Sequence, residues 1–360
     1  MSAARVLVTG GAGFIGTNLT ARLIEQGCHV VVLDSLVRPG SDANARWLQR
    51  TYPQRFELVA ADVRDRAAVF HALHDVGHVF HLAAQVAVTT SLAEPTIDFD
   101  VNARGTLVLL EAIRACREQP SLVFTSTNKV YGGLDDIELT ELSTRYVPRD
   151  GRVRDRGIGE QRALDFHSPY GCSKGAADQY VRDYARSYGL RTVVLRMSCI
   201  YGPHQNGSED QGWVAHFVRH ASTDRAVTVF GDGKQVRDVL YIDDLVNALL
   251  LARERIEPLS GRAFNIGGGP RNTVSLIELI ASLEAAADVR LEVAFAGWRV
   301  GDQRYYVSDT TAFHEATGWA AVVAPSRGLA RLREWLADAS MDDAEHLRPA
   351  PIAHPAEARS

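Results

Sequence analysis

Cysteine is scarce in this sequence, and so is any segment apolar enough to sit in a bilayer. Only four cysteines occur in 360 residues, Cys28, Cys116, Cys172 and Cys199. They are too few for a secreted disulfide framework and lack the paired short spacings of a zinc site, so reduced thiols in the cytoplasm are expected. No run of about 18 apolar residues occurs, and the opening Met-Ser-Ala-Ala-Arg passes into a strand pattern at Val6 without a signal-peptide core. Neither export nor membrane spanning is expected. An excess of one charge is missing too: 39 Lys+Arg face 44 Asp+Glu, a net charge of −5, which gives no general field for nucleic acid or an anionic membrane. Any anion bound must meet a local site.

What is present is a globular composition, 46% hydrophobic and 23% charged, which excludes wholesale disorder. The length allows roughly two domains. From Arg5 an apolar run, a glycine-rich turn, an amphipathic stretch and a second apolar run (Val30 to Leu33) read as a β-α-β unit. Further buried strands are expected at 56–60, 78–83, 121–126 and 191–197, with helices at 101–117 and 170–188 between them. Such alternation implies an α/β fold with a doubly wound parallel sheet of Rossmann type. After Arg196 the alternation breaks. Residues 1–198 with 236–258 are therefore expected to form a cofactor-binding domain, and 199–235 with 259–336 a smaller α/β substrate-binding domain. Residues 337–360, rich in Ala, Pro and charge, read as a disordered tail.

The turn Thr9-Gly10-Gly11-Ala12-Gly13-Phe14-Ile15-Gly16 has the glycine spacing of a dinucleotide site. Gly10, Gly13 and Gly16 permit a tight turn, close approach to a pyrophosphate and close helix packing, and the helix opening at Phe14 and Ile15 offers free N–H groups. Asp34 ends the next strand, where a carboxylate suits the ribose hydroxyls of NAD and repels the extra phosphate of NADP. Ser35 and Arg38 follow on the same edge, and Arg38 leaves NADP open. Asp62-Val63, after the third strand, stands where adenine would lie, although an Asp there also serves as a helix cap.

Tyr170 and Lys174 stand at i and i+4, on one face of a helix. A phenol with a pKa near ~10 is a poor base until positive charge favours the phenolate, and Lys174 can supply some. With these residues in place the sequence resembles the extended short-chain dehydrogenase/reductases, the nucleotide-sugar epimerases and dehydratases, over nearly residues 5–336. The glycine turn, Asp34, Asp62, His81-Leu82-Ala83-Ala84, Asn102, the 126–132 segment and the Tyr/Lys pair carry the resemblance. It implies Thr127, Tyr170 and Lys174 as catalytic residues, with Leu82, Ala83, Ala84 and Asn102 joining the NAD contacts.

Dehydratases of this family carry Asp-Glu after the catalytic Thr, whereas Asn128-Lys129 stands here. Asparagine cannot transfer the proton that elimination requires. Longer strings at 126–132, 165–175, 210–213, 233–238 and 302–304 are similar to nucleotide-sugar 2-epimerases acting on CDP-linked hexoses. The resemblance implies a substrate site of Thr127, Asn128, Gln211, Trp213, Phe230, Arg237, Arg299 and Asp302. The two arginines would take the diphosphate, for which guanidinium forks are suited. Cys199 replaces the family's usual Asn and reads as a core residue. A homodimer or homotetramer is implied by resemblance only.

The 133–168 segment, with six arginines between Arg145 and Arg162, reads equally as a solvated loop or a lid. His71, His74, His78 and His81 do not make a metal site, since a helix and opposite faces of a strand separate them. The expectation is an NAD-dependent epimerase acting at C2 of a CDP-linked hexose. A UDP-sugar 4-epimerase and a catalytically inactive NAD-sensing regulator are the alternatives.

Overall fold

A computed structural model describes residues 4–208, 210–223 and 226–346. Five strands run through the first third of the chain: β1 (Arg5–Thr9), β2 (His29–Asp34), β3 (Phe56–Ala60), β4 (His78–His81) and β5 (Ser121–Thr127). Thr192–Met197 and Arg262–Ile266 complete a seven-stranded sheet. Its spatial order is Arg262–Ile266, Thr192–Met197, β5, β4, β1, β2, β3, with every pair parallel. Parallel strands need crossover helices on both faces, so the strand residues are buried whichever way they point. Val6, Val8 and Val123 enter one apolar cluster and Leu7, Leu122 and Phe124 the other. Strand order reverses between β1 and β4, and the crevice at the carboxyl ends of those strands is where such sheets take ligands.

The second unit is organised around the strand Val236–Tyr241. It pairs in parallel with Cys199–Tyr201 and Tyr305–Tyr306, and antiparallel with Thr273–Ser275. Sequence reading assigns 236–258 to the first unit and 259 onward to the second, whereas Val236–Tyr241 pairs with the short strands of the smaller sheet and Arg262–Ile266 with the seven-stranded one. The helix that follows, Ile242–Glu254, packs back against helix α1 (Phe14–Glu25). The helix Trp213–Thr223 and the parallel pair Val227–Phe230 with Val293–Ala296 complete this half.

The 133–168 segment is a packed structure. A hairpin pairs Leu139–Glu141 with Tyr146–Pro148, a helix spans Gly151–Arg156, and Ile158 bridges to Ser308. Arg145 grips both oxygens of Glu278, and Asn265 donates to the carbonyl of Ile158 at 2.8 Å. These ties, from Glu278 and from Asn265 of the seven-stranded sheet, fix its course, so it is not a free loop. At the other end, the helix Pro325–His346 runs past residue 336, where a tail was expected to start. Ala, Leu, Arg and Glu in this stretch are strong helix formers. Residues 347–360 of that expected tail lie outside the described residues. Among the described residues no helix is long and apolar enough to cross a membrane.

Candidate active site

The glycine turn connects β1 to α1, and its spacing is enforced by close contacts. Gly10 has φ +69°, and a Cβ there would stand 2.7 Å from the amide nitrogen of Ala83. A Cβ on Gly16 would fall 2.1 Å from the carbonyl oxygen of Gly10. No side chain caps α1, which begins after Gly13, and no acid occupies its first turn. Its amides therefore face the crevice without a competing carboxylate, an arrangement that fits a pyrophosphate. Phe14 and Ile15 pack half-buried on the core.

Asp34 accepts from the amides of Ala12 (3.0 Å) and Leu36 (2.9 Å), which pins its carboxylate against the turn. Ser35 is exposed beside it. Arg38 reaches across the crevice to the side-chain oxygen of Gln211, so a residue expected at the cofactor meets one expected at the substrate. Leu82, Ala83 and Ala84 follow β4 as the half-buried wall, with Leu82 donating to Thr9 O at 3.0 Å.

Two of the expected cofactor residues also bond within the protein. Asp62 accepts from the Arg64 amide and from two guanidinium nitrogens, which holds its carboxyl below the usual range. It closes a turn beside buried Val63. Asn102 is 1% exposed, and its amide is spent on Gln85 (both backbone groups), Asp98 and Ser173. It sits in a π-helical turn, Asp100–Arg104, that interrupts the expected 101–117 helix. Such turns re-aim side chains at functional sites, and this one makes Asn102 a support for the β4 loop.

Tyr170 and Lys174 lie in the first two turns of the helix Ser168–Tyr188, facing the end of β5. Both are buried, at 9% and 3% exposure. Burial pushes the Tyr170 phenol up to about 12, while a hydrogen bond with Thr127 and the charge of Arg38 pull against that; Asp98 adds to the rise. Burial lowers Lys174 to about 7 against the opposing pull of Asp178 and Asp98. Its ammonium donates to Thr125 O at 2.7 Å and lies 4.2 Å from the Phe124 ring centroid. The helix start is clamped from behind. Tyr170 N donates to Ser91 Oγ at 3.1 Å, and Ser173 hydrogen bonds to the buried Asp98 carboxylate at 2.5 Å.

Most of the residues expected at the substrate lie in the second unit. Arg299 lies 3.4 Å from the Phe230 ring centroid and 3.1 Å from Asp210, and its amide donates to Asp302. Trp213 Nε1 donates to Cys199 Sγ at 3.4 Å, so Cys199 contacts this group and is only half-buried. Arg237 donates to the carbonyls of Val236 (2.8 Å) and Gln303 (2.5 Å). Gln303, fully buried, also binds Asn128 (3.2 Å) and Gly132 O (2.7 Å). Sequence reading assigned no role to Gln303, Ser91, Asp98 or Ser173. Gln303 stood inside a matching string, but nothing local marks a glutamine as buried.

The histidines serve the sheet. His81 bonds to Thr9 and Thr106, and His78 to Ser121.

Comparison with known proteins decides the family: the model of the NAD dependent epimerase/dehydratase family matches residues 6–267. The chain belongs to this family. It is 40% identical over 338 residues to CDP-paratose 2-epimerase of Salmonella typhi, covering 92% of this chain and 98% of that one. The solved UDP-glucose 4-epimerase of Thermotoga maritima with UDP-glucose is 31% identical at a TM-score of 0.78, and that of Thermus thermophilus with NAD is 32% identical at 0.77. Each of those alignments covers 93% of this chain and 99% of the other. The fold is that of the extended short-chain dehydrogenase/reductases, and the chemistry is NAD-dependent epimerisation of a nucleotide sugar.

Proposed function

We propose that this epimerase inverts C2 of a CDP-linked deoxyhexose, interconverting CDP-paratose and CDP-tyvelose. The observation that carries the reading is the Thr127-Asn128-Lys129 turn, beside Tyr170 and Lys174, in a chain similar over 92% of its length to a CDP-paratose 2-epimerase. In this reading the pyrophosphate of NAD rests on Gly10 to Gly16 and its adenosine ribose on Asp34, with Ser35, Arg38 and Val63 around the adenine. Leu82 to Ala84, with Tyr170 and Lys174, would hold the nicotinamide half. Asp62 and Asn102 shape this surface from behind.

When bound, NAD supplies a reversible acceptor for the C2 hydrogen and a positive charge near the phenol. Tyr170 takes the proton of the C2 hydroxyl at its phenol oxygen as a 2-keto sugar forms, and returns it when the alcohol is remade. Thr127 hydrogen bonds that oxygen and holds it toward the sugar. Lys174, one helical turn on from Tyr170, favours the phenolate when protonated. Asn128 is neither an acid nor a base near neutral pH, so it does not drive elimination of water. Arg237, Arg299 and Asp302 retain the nucleotide end with Phe230, Trp213 and Gln211, which leaves the keto sugar free to turn its other face. No net redox results.

The test is NMR of the purified enzyme with CDP-paratose and, separately, UDP-glucose. Inversion at C2 of the CDP sugar with C4 untouched is expected. Inversion at C4 of UDP-glucose, with CDP-paratose inert, would move the assignment to a UDP-sugar 4-epimerase, the reading favoured by the likeness to the Thermotoga structure.

A further inference from the structure

A half-buried lysine and a buried arginine reach the same 301–303 loop, and neither has a carboxylate ion pair among the described residues. Lys129 leaves the end of β5 two residues after Thr127, and its ammonium donates to Gly301 O at 2.8 Å. Arg237, 8% exposed, reaches the same loop from the neighbouring unit and bonds only to carbonyls. Among the described residues neither forms an ion pair within 4 Å. Their charges act on each other and on Cys199, which lies in the field of both. Donors are left over: one of the three on Lys129 is used by protein, and two of the five on Arg237. Paired buried like charges are costly unless an anion joins them.

We propose that Lys129 is a substrate-binding residue, joining Arg237 to grip the diphosphate of the nucleotide sugar and so setting the sugar against Thr127 and Tyr170. This rests on the nucleotide-sugar reading and adds to it a residue that family resemblance leaves without a role. A bridging diphosphate would take up the donors that the protein leaves unused on both cations, which also lie in the field of Asp302, with Asp238 acting on Arg237. Lys129 also makes the grip sensitive to pH. Burial and the adjacent Arg237 lower the ammonium to about 8, against the opposing pull of Asp302 and Cys199. The protonated form binds an anion, so affinity is full below that value and falls as pH rises through it.

Calorimetry of the NAD-loaded enzyme with CDP-glucose tests this, since its diphosphate diester does not titrate between pH 7 and 9. Wild type is expected to bind about tenfold more weakly at pH 9 than at pH 7, the change for uptake of one proton by a group that titrates at about 8. Lys129→Met should bind about ten- to a hundredfold more weakly at pH 7, as for a lost charge-assisted hydrogen bond, and lose the pH dependence. Lys129→Arg should keep the affinity at pH 9. Cytidine, which has no phosphate, should bind wild type and Lys129→Met alike. Undiminished CDP-glucose affinity in Lys129→Met, or a wild-type affinity flat from pH 7 to 9, would overturn the proposal; the wild-type series needs no substitution to fold. UDP-glucose is run in parallel. If it binds and CDP-glucose does not, the base assigned above is wrong and the same comparisons on UDP-glucose decide Lys129.

Discussion

Tyr170 is a protonated phenol in the environment its own chain provides. Burial outweighs the hydrogen bond from Thr127, and a pKa of about 12 leaves little phenolate at neutral pH. The residue becomes a base only as positive charge enters beside it, so proton removal is tied to an occupied cofactor crevice. Tyr170→Phe is expected to lower kcat by about 100- to 10,000-fold, the usual worth of general base catalysis, with NAD still bound. Thr127→Ala should cost less, because the phenol remains; stopped assays on both variants would compare them. Lys174 carries a stability penalty as well as a role. Its ammonium, lowered to about 7 from 10.5, is disfavoured in the folded protein below that value, and the penalty fades as pH rises from 7 toward the unfolded pKa. Lys174→Met should therefore show a Tm, relative to wild type, that is more favourable at pH 6 than at pH 9, while turnover falls more than tenfold. Equal Tm differences at the two pH values would contradict the assigned burial of charge.

Among the elements, the glycine turn and the Tyr/Lys helix were legible from sequence because each is local. Glycines at Gly10, Gly13 and Gly16 follow from backbone contacts within one β-α unit, and residues i and i+4 share a helix face wherever the helix lies. The strands, too, were read to within a few residues, since doubly buried strands appear as short apolar runs. What was not legible depends on distant partners. The ordering of 133–168 comes from Glu278, Asn265 and Ser308, each more than 100 residues away. The employment of Asn102 depends on Gln85, Asp98 and Ser173 converging on one amide. Two tests belong at this scale. Gly16→Ala places a methyl against the Gly10 carbonyl and should abolish NAD retention on gel filtration. Arg196→Met breaks the buried fork onto Asp178, joining the Thr192–Met197 strand to the catalytic helix, and should cost about 3–5 kcal/mol in urea unfolding. Adding Asp178→Leu should restore much of that, because the unpaired carboxylate rather than the lost attraction carries the cost.

In the whole molecule, two units meet along the carboxyl ends of the parallel sheet. In the proposed site the first supplies the turn for NAD with Thr127, Tyr170 and Lys174, and the second supplies Arg237, Arg299, Asp302 and Gln303. Gln303 stitches them by reaching Asn128 and Gly132 while its carbonyl holds Arg237. Cofactor regenerated in place at each turnover has no reason to leave, so the protein should purify with NAD, identified by mass after denaturation; NADP in its place would contradict the role given to Asp34. The most direct measurement follows the hydrogen at C2. Substrate deuterated at C2 and epimerised in ordinary water should keep its label in the product, and unlabelled substrate in deuterium oxide should gain none, because the hydrogen leaves and returns within the site. Loss of the C2 label to water, or solvent deuterium gained there, would contradict hydride transfer through a 2-keto sugar.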